Sequence, residues 1–268
     1  MKALVGLARG FGGALIFALP MLMTSEMWAL GFHMDRWRLA LLLVLNIPLL
    51  TMLSFHAGFE ETFDFGEDLR DACIAYGIGI VASALFLALF GIVEPGQPVG
   101  EIVGKIAVQS VPASIGALLG RSQLGGGRAY QPRGGRTPGY LSELFLMAIG
   151  ALFLGLNVAP TEEMVLISYK MTEWHILALI GLSLLLMHGF VYAVEFRGGE
   201  VAVASQRLSG RAFVRFTLVG YAIALLISFY VLWSFGRTED MSFTQMVMAV
   251  SVLGFPAAIG AAAARLIL

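Results

Sequence analysis

Eight apolar runs, each about as long as a bilayer is thick, constrain this chain more than any other feature. They fall at about 11–32, 38–57, 72–93, 103–120, 142–168, 175–195, 213–235 and 243–267. A helix needs roughly 20 such residues to cross a ~30 Å hydrocarbon core. Backbone in lipid must satisfy its own polar groups, which leaves helices or a closed barrel. Barrel strands would be half as long and would alternate polar with apolar residues. The sequence therefore predicts an all-α transmembrane protein of about eight helices. Of the 268 residues, 58% are hydrophobic and only 13% charged, against roughly 25% charged in a soluble domain. The mean hydropathy is +0.83.

The same features exclude several classes. A net charge of −1 gives no electrostatic case for a nucleic-acid partner. The single cysteine, Cys73, lacks the company of a metal or redox motif. Nothing calls for a cofactor. The start of the chain, with Lys2 and Arg9 before an apolar run, reads as a retained first helix, because no small-x-small cleavage pattern follows. The glycine-rich stretch 121–141, with Arg121, Arg128, Arg133 and Arg136, lacks the strand, the helix and the Lys-Ser/Thr ending of a phosphate loop. It reads as a cytoplasmic linker at 122–141 between two halves, 1–121 and 142–268. With the N-terminus inside, 12 of the 17 basic residues fall on inner segments and 5 on outer ones. That predicts both termini in the cytoplasm. Lys105 is counted there as an outer charge, and the acidic stretch from Glu60 to Asp71 as a solvated inner loop.

The two halves match each other. At an offset of 137, Gly13-Ala14-Leu15 falls on Gly150-Ala151-Leu152, Thr24-Ser25-Glu26-Met27 on Thr161-Glu162-Glu163-Met164, Met34 on Met171, and Trp37 on Trp174. The same offset pairs Phe55 with Tyr192 and Phe59 with Phe196. At 145, Arg70, Tyr76 and Gly91 fall on Arg215, Tyr221 and Gly236; at 144, Pro112 through Arg121 falls on Pro256 through Arg265. Rare residue types recur in order in all four helix pairs, which predicts two parallel four-helix repeats.

The segments Ala18-Leu-Pro-Met-Leu-Met-Thr-Ser-Glu-Met-Trp-Ala-Leu-Gly31 and Ala159-Pro-Thr-Glu-Glu163 resemble those of a family of uncharacterised bacterial multi-pass integral membrane proteins. The resemblance covers most of the chain and implies a bacterial inner-membrane location. It carries no activity.

Glu26 and Glu163 most need a purpose, since each sits inside an apolar run at the equivalent place of its half. An ionised carboxylate there costs at least ~2.5 kcal/mol unless it faces a bundle interior, a partner or water. Counted up the first helix, Glu26 lies roughly 22 Å from its inner end. Two carboxylates facing each other would exchange a proton for a metal ion. Glu162 adds a third carboxylate, Thr24 and Thr161 offer hydroxyl oxygens, and Pro20 and Pro160 free backbone carbonyls. This predicts a cation channel or proton-coupled cation transporter. The bland alternative is a pair of acids in the first turn of interfacial helices, and Pro-Thr-Glu-Glu is an ordinary helix start.

Arg70 and Arg215 read as snorkelling charges at the inner end, meeting lipid or acidic neighbours. Trp37 and Trp174 read as belt anchors. His56, four residues before Glu60, forms a weak metal pair. No nucleophile–base pair, double-aspartate motif or zinc signature suggests an enzyme. The rival to transport is a non-transporting membrane component that binds a partner. A homo-oligomer is compatible with the sequence.

Overall fold

A computed structural model describes residues 2–57, 65–124, 139–197 and 213–267. Every regular element among them is a helix, and eight helices are long and apolar enough to cross a membrane. The chain divides into two compact units, Met1–Arg136 and Thr137–Leu268.

The first unit comprises α1 (Lys2–Leu22), α2 (Ser25–His33), α3 (Arg36–Ala57), α4 (Phe65–Leu89) and α5 (Val99–Leu124). The second comprises α6 (Tyr140–Val158), α7 (Glu162–Lys170), α8 (Glu173–Arg197), α9 (Val219–Ser234, entered through a π-helical turn at Phe213–Leu218) and α10 (Phe243–Ile267). Each unit thus runs long, short, long, long, long.

The apolar run expected at 11–32 is two helices, not one, and so is the run at 142–168. In the first unit the chain leaves helical geometry at Thr24, whose φ of −104° and ψ of 130° are extended. The carbonyls orphaned there are met by side chains. Thr24 Oγ1 donates to Met21 O at 2.8 Å, and Trp28 Nε1 donates to Leu22 O at 2.8 Å. The second unit breaks at Pro160-Thr161, where proline has no N–H to continue α6. Thr161 Oγ1 donates to Val158 O at 2.9 Å, and the Arg237 guanidinium donates to Pro160 O. Hydropathy alone cannot see such a break, because α2 is itself apolar on the face formed by Met27, Leu30 and Gly31.

Each first span packs on the last span of its own unit through glycine. A Cβ on Gly13 would strike the backbone of Gly116 and Gly120, and one on Gly150 would strike Gly260. These positions are paired by the 137 and 144 offsets. Small residues let the backbones approach closely, which is how helices bind in lipid where apolar surface alone gives no drive.

Further paired positions play the same part in each unit. Ser83 Oγ donates to Gly79 O and Ser228 Oγ to Ala224 O, both at 2.7 Å. Trp37 and Trp174, 83% and 80% exposed, stand at the starts of α3 and α8. That exposure suits interfacial anchors.

Candidate functional site

The break end of each unit, where the first span gives way to the short helix, gathers most of the residues singled out by sequence. Glu26 lies in the first turn of α2, half-buried, and Ser25 Oγ donates to its Oε2 at 3.3 Å. Glu162 and Glu163 lie in the first turn of α7, both exposed. The favourable field at a helix N-terminus suits carboxylates at all three positions. Neither Thr24 nor Thr161 caps the following helix with its side chain. Their hydroxyl protons turn back to the preceding carbonyls, which leaves the oxygen lone pairs for other partners. Pro20 lies inside α1, with the break after it.

The other candidates are dispersed. Arg215 is exposed with its guanidinium over the Tyr140 ring, 4.7 Å from the centroid, while Tyr140 Oη donates to Arg215 O at 2.9 Å. Arg70 is exposed on the first turns of α4. Glu60 and the linker residues 125–138 lie outside the described residues, as does the His56 side chain. Among the described residues no three His, Cys, Asp or Glu side chains come close enough to hold a metal.

Two sets of residues differ from the sequence expectation. Asp68 and Asp71, expected in a solvated loop, are 6% and 1% exposed. The helix starts at Phe65, and their spacing of three puts both on the face of Ala72 and Ala75, which packs inward.

Lys105, counted by sequence among the outer charges, is buried. Because α5 begins at Val99, the lysine is one turn and a half inside a span that runs from Val99 to Gly120, and it is 6% exposed. Its ammonium pairs with Glu101 Oε1 at 2.5 Å and donates to Ile92 O at 3.2 Å. Four residues further along the same stripe stands Gln109, fully buried, with Nε2 donating to Ala18 O at 2.9 Å and no donor for its Oε1. Pro112, one turn on, leaves the Val108 carbonyl without its helical N–H. The stripe Glu101–Lys105–Gln109 was visible as an i, i+4, i+8 pattern of polar residues in an apolar helix.

At the break end this stripe opens into a groove of about 280 Å³ lined by Trp28, Ala29, Phe32, His33, Glu101 and Lys105. The groove exists because α2 lies tight on α5. A Cβ on Gly31 would come within 2.6 Å of the Lys105 backbone, and a Cβ on Gly104 would fall on the Gly31 carbonyl. The second unit has Ser168 and Met248 at these positions, and Gln245, Ala249 and Leu253 where the first has Glu101, Lys105 and Gln109. There Gln245 Nε2 donates to Ser168 Oγ at 3.1 Å. One unit carries a charged stripe and the other an uncharged one.

Comparison with known proteins settles the family and stops there. Residues 6–268 match the family model for integral membrane proteins designated DUF2391. The chain belongs to the DUF2391 family. No curated protein and no solved structure matches it. The DUF2391 assignment agrees with eight membrane-length apolar helices, so the chain is an integral membrane protein.

Proposed function

We propose that this protein moves a small cation or protons across a bacterial inner membrane, with both termini in the cytoplasm and two units descended from one four-span ancestor. Glu26 and Glu163 take the ion, each at the broken end of its unit's first span. Glu162, Thr24 and Thr161 supply further oxygens.

One observation carries the reading. The same device occurs twice: a span broken near its end, a threonine turned back on the freed carbonyl, and a carboxylate in the next turn. Oxygen-only ligands of this kind suit hard cations or protons rather than soft metals. In the first unit the buried polar stripe on α5 offers a continuation into the span, where an ionisable residue marks a functional path by default.

The exposure of Glu162 and Glu163 on α7 favours a second reading, a non-transporting component whose short helices bind a partner. Neither reading assigns a catalysed reaction.

Purified protein in liposomes separates the two. Transport predicts uptake of Na⁺, K⁺, Ca²⁺, Mg²⁺ or H⁺ that Glu26→Gln with Glu163→Gln abolishes while the protein still inserts. Wild-type liposomes that pass none of these ions would end the transport reading, and co-purification of a stoichiometric partner lost in the same variant would install the other.

A further inference from the structure

We propose that the groove between α2 and α5 of the first unit binds the headgroup of a zwitterionic membrane lipid bearing a primary ammonium, a phosphoethanolamine. The groove shares Glu101 and Lys105 with the α5 stripe, but the proposal rests on the groove's lining and not on ion movement, so either can fail alone.

Depth is the first argument. The span of α1 ends at Leu22, α2 follows at once, and Glu101 lies in the first turn of α5. The groove therefore opens at the level where spans meet headgroups, with Lys105 about 6 Å deeper than Glu101 by helical rise.

Charge is the second. The lining holds one acid, one buried base and one histidine beside two aromatic faces, Trp28 and Phe32. Exposed Arg36 stands at the rim, its Nη1 donating to Gly100 O at 3.4 Å. An ammonium has three N–H donors, and Lys105 spends two of them on Glu101 and Ile92. The third, with His33, can meet a phosphodiester oxygen. Glu101 and the Trp28 face then suit the lipid's own ammonium. A wholly anionic headgroup would bring Glu101 no cationic donor. A trimethylated ammonium would have no proton to give it.

The second unit supplies the contrast. Where the first has Trp28, Phe32, His33, Glu101 and Lys105, the second has Val165, Tyr169, Lys170, Gln245 and Ala249. It has lost the acid and the buried base together.

The test uses full-length protein in mixed micelles with equal amounts of phosphatidylethanolamine, phosphatidylglycerol and phosphatidylcholine of identical acyl chains, with bound lipid read by native mass spectrometry. The expected result is enrichment of phosphatidylethanolamine by about tenfold, near the low end of what one hydrogen bond to a charged group is worth. Glu101→Gln and His33→Ala should each remove most of it, while Lys170→Ala, the second-unit counterpart of His33, should leave it intact. Because Lys105→Ala removes a buried partner and risks misfolding, the exposed His33 keeps the test readable. Retention of the three lipids in the proportions supplied would overturn the proposal, as would enrichment that survives both first-unit changes. Soluble glycerophosphoethanolamine that displaces the lipid at equal concentration would reassign the groove to a free solute and overturn the lipid assignment.

Discussion

Gly91 and Gly236 adopt the same left-handed backbone, with φ of 69° and 72°, and each ends the third span of its unit. Behind them Ile92 N donates to Leu87 O and Arg237 N to Leu232 O, both at 2.9 Å, the six-to-one bond that closes a helix on a left-handed residue. A Cβ there meets the following carbonyl, at a cost of about 1–2 kcal/mol. Gly91→Ala and Gly236→Ala should each lower the thermal midpoint in detergent, with asparagine milder than alanine at both sites. An alanine variant as stable as the wild type would show that the turn relaxes to negative φ.

Glycines elsewhere separate into two kinds. Gly116 has no room for a Cβ between Phe17 and the Gly13 carbonyl, whereas nothing lies within 4 Å of a Cβ on Gly77. Gly116→Ala should destabilise by about 1–3 kcal/mol through overpacking. Gly77→Ala should be neutral or stabilise by up to about 1 kcal/mol, since a mid-helix glycine loses more entropy on folding. Equilibrium unfolding in mixed micelles distinguishes them, and equal effects from the two would contradict the α1–α5 contact.

Lys105 and Glu101 form a pair whose side chains are 7% and 23% exposed. Removing one partner strands the other charge, and removing both does not. Lys105→Ala should therefore destabilise by about 3 kcal/mol, the low end for breaking a buried pair, and the double change Glu101→Ala/Lys105→Ala by less. A double-mutant cycle measures the coupling; additive losses would mean the pair contributes nothing.

Trp28 closes the C-terminal end of α1 from one helix further on. Trp28→Phe keeps the ring and loses the donor, so about 1 kcal/mol should go, with proteolysis after Met23 becoming faster. Unchanged cleavage and unchanged stability would remove the indole from the account of the break.

The spans were legible because hydropathy over 20 residues is an additive property that needs no tertiary knowledge. The pairing of Gly13 with Gly150 was legible as a repeat match, though only the backbone shows that both are close contacts. The break at Thr161 was legible as an alternative, since Pro-Thr-Glu-Glu reads as a helix start and Glu162 and Glu163 do lie in the first turn of α7. The break at Thr24 was harder to see. Met27, Trp28 and Leu30 keep the run apolar while the backbone turns, so Glu26 seemed to lie within a single long helix and instead stands in the first turn of a short one. Lys105 was read as a charge at the very end of its run. Starting that run at 103 rather than Val99 left the lysine two residues from its edge, and the four-residue step from Glu101 to Lys105 to Gln109 is the signal that places a turn and a half of helix before it. Asp68 and Asp71 show the limit most plainly, since charge alone argued for water and the small face of α4 decided otherwise.

The exposed indoles at the starts of α3 and α8 have an optical consequence. Of the four tryptophans, Trp37 and Trp174 are 83% and 80% open, while Trp28 and Trp233 are partly covered. Brominated lipids of graded depth should darken the first two together and the second pair much less. The fluorescence of the unlabelled chain then reads out how far each unit is immersed.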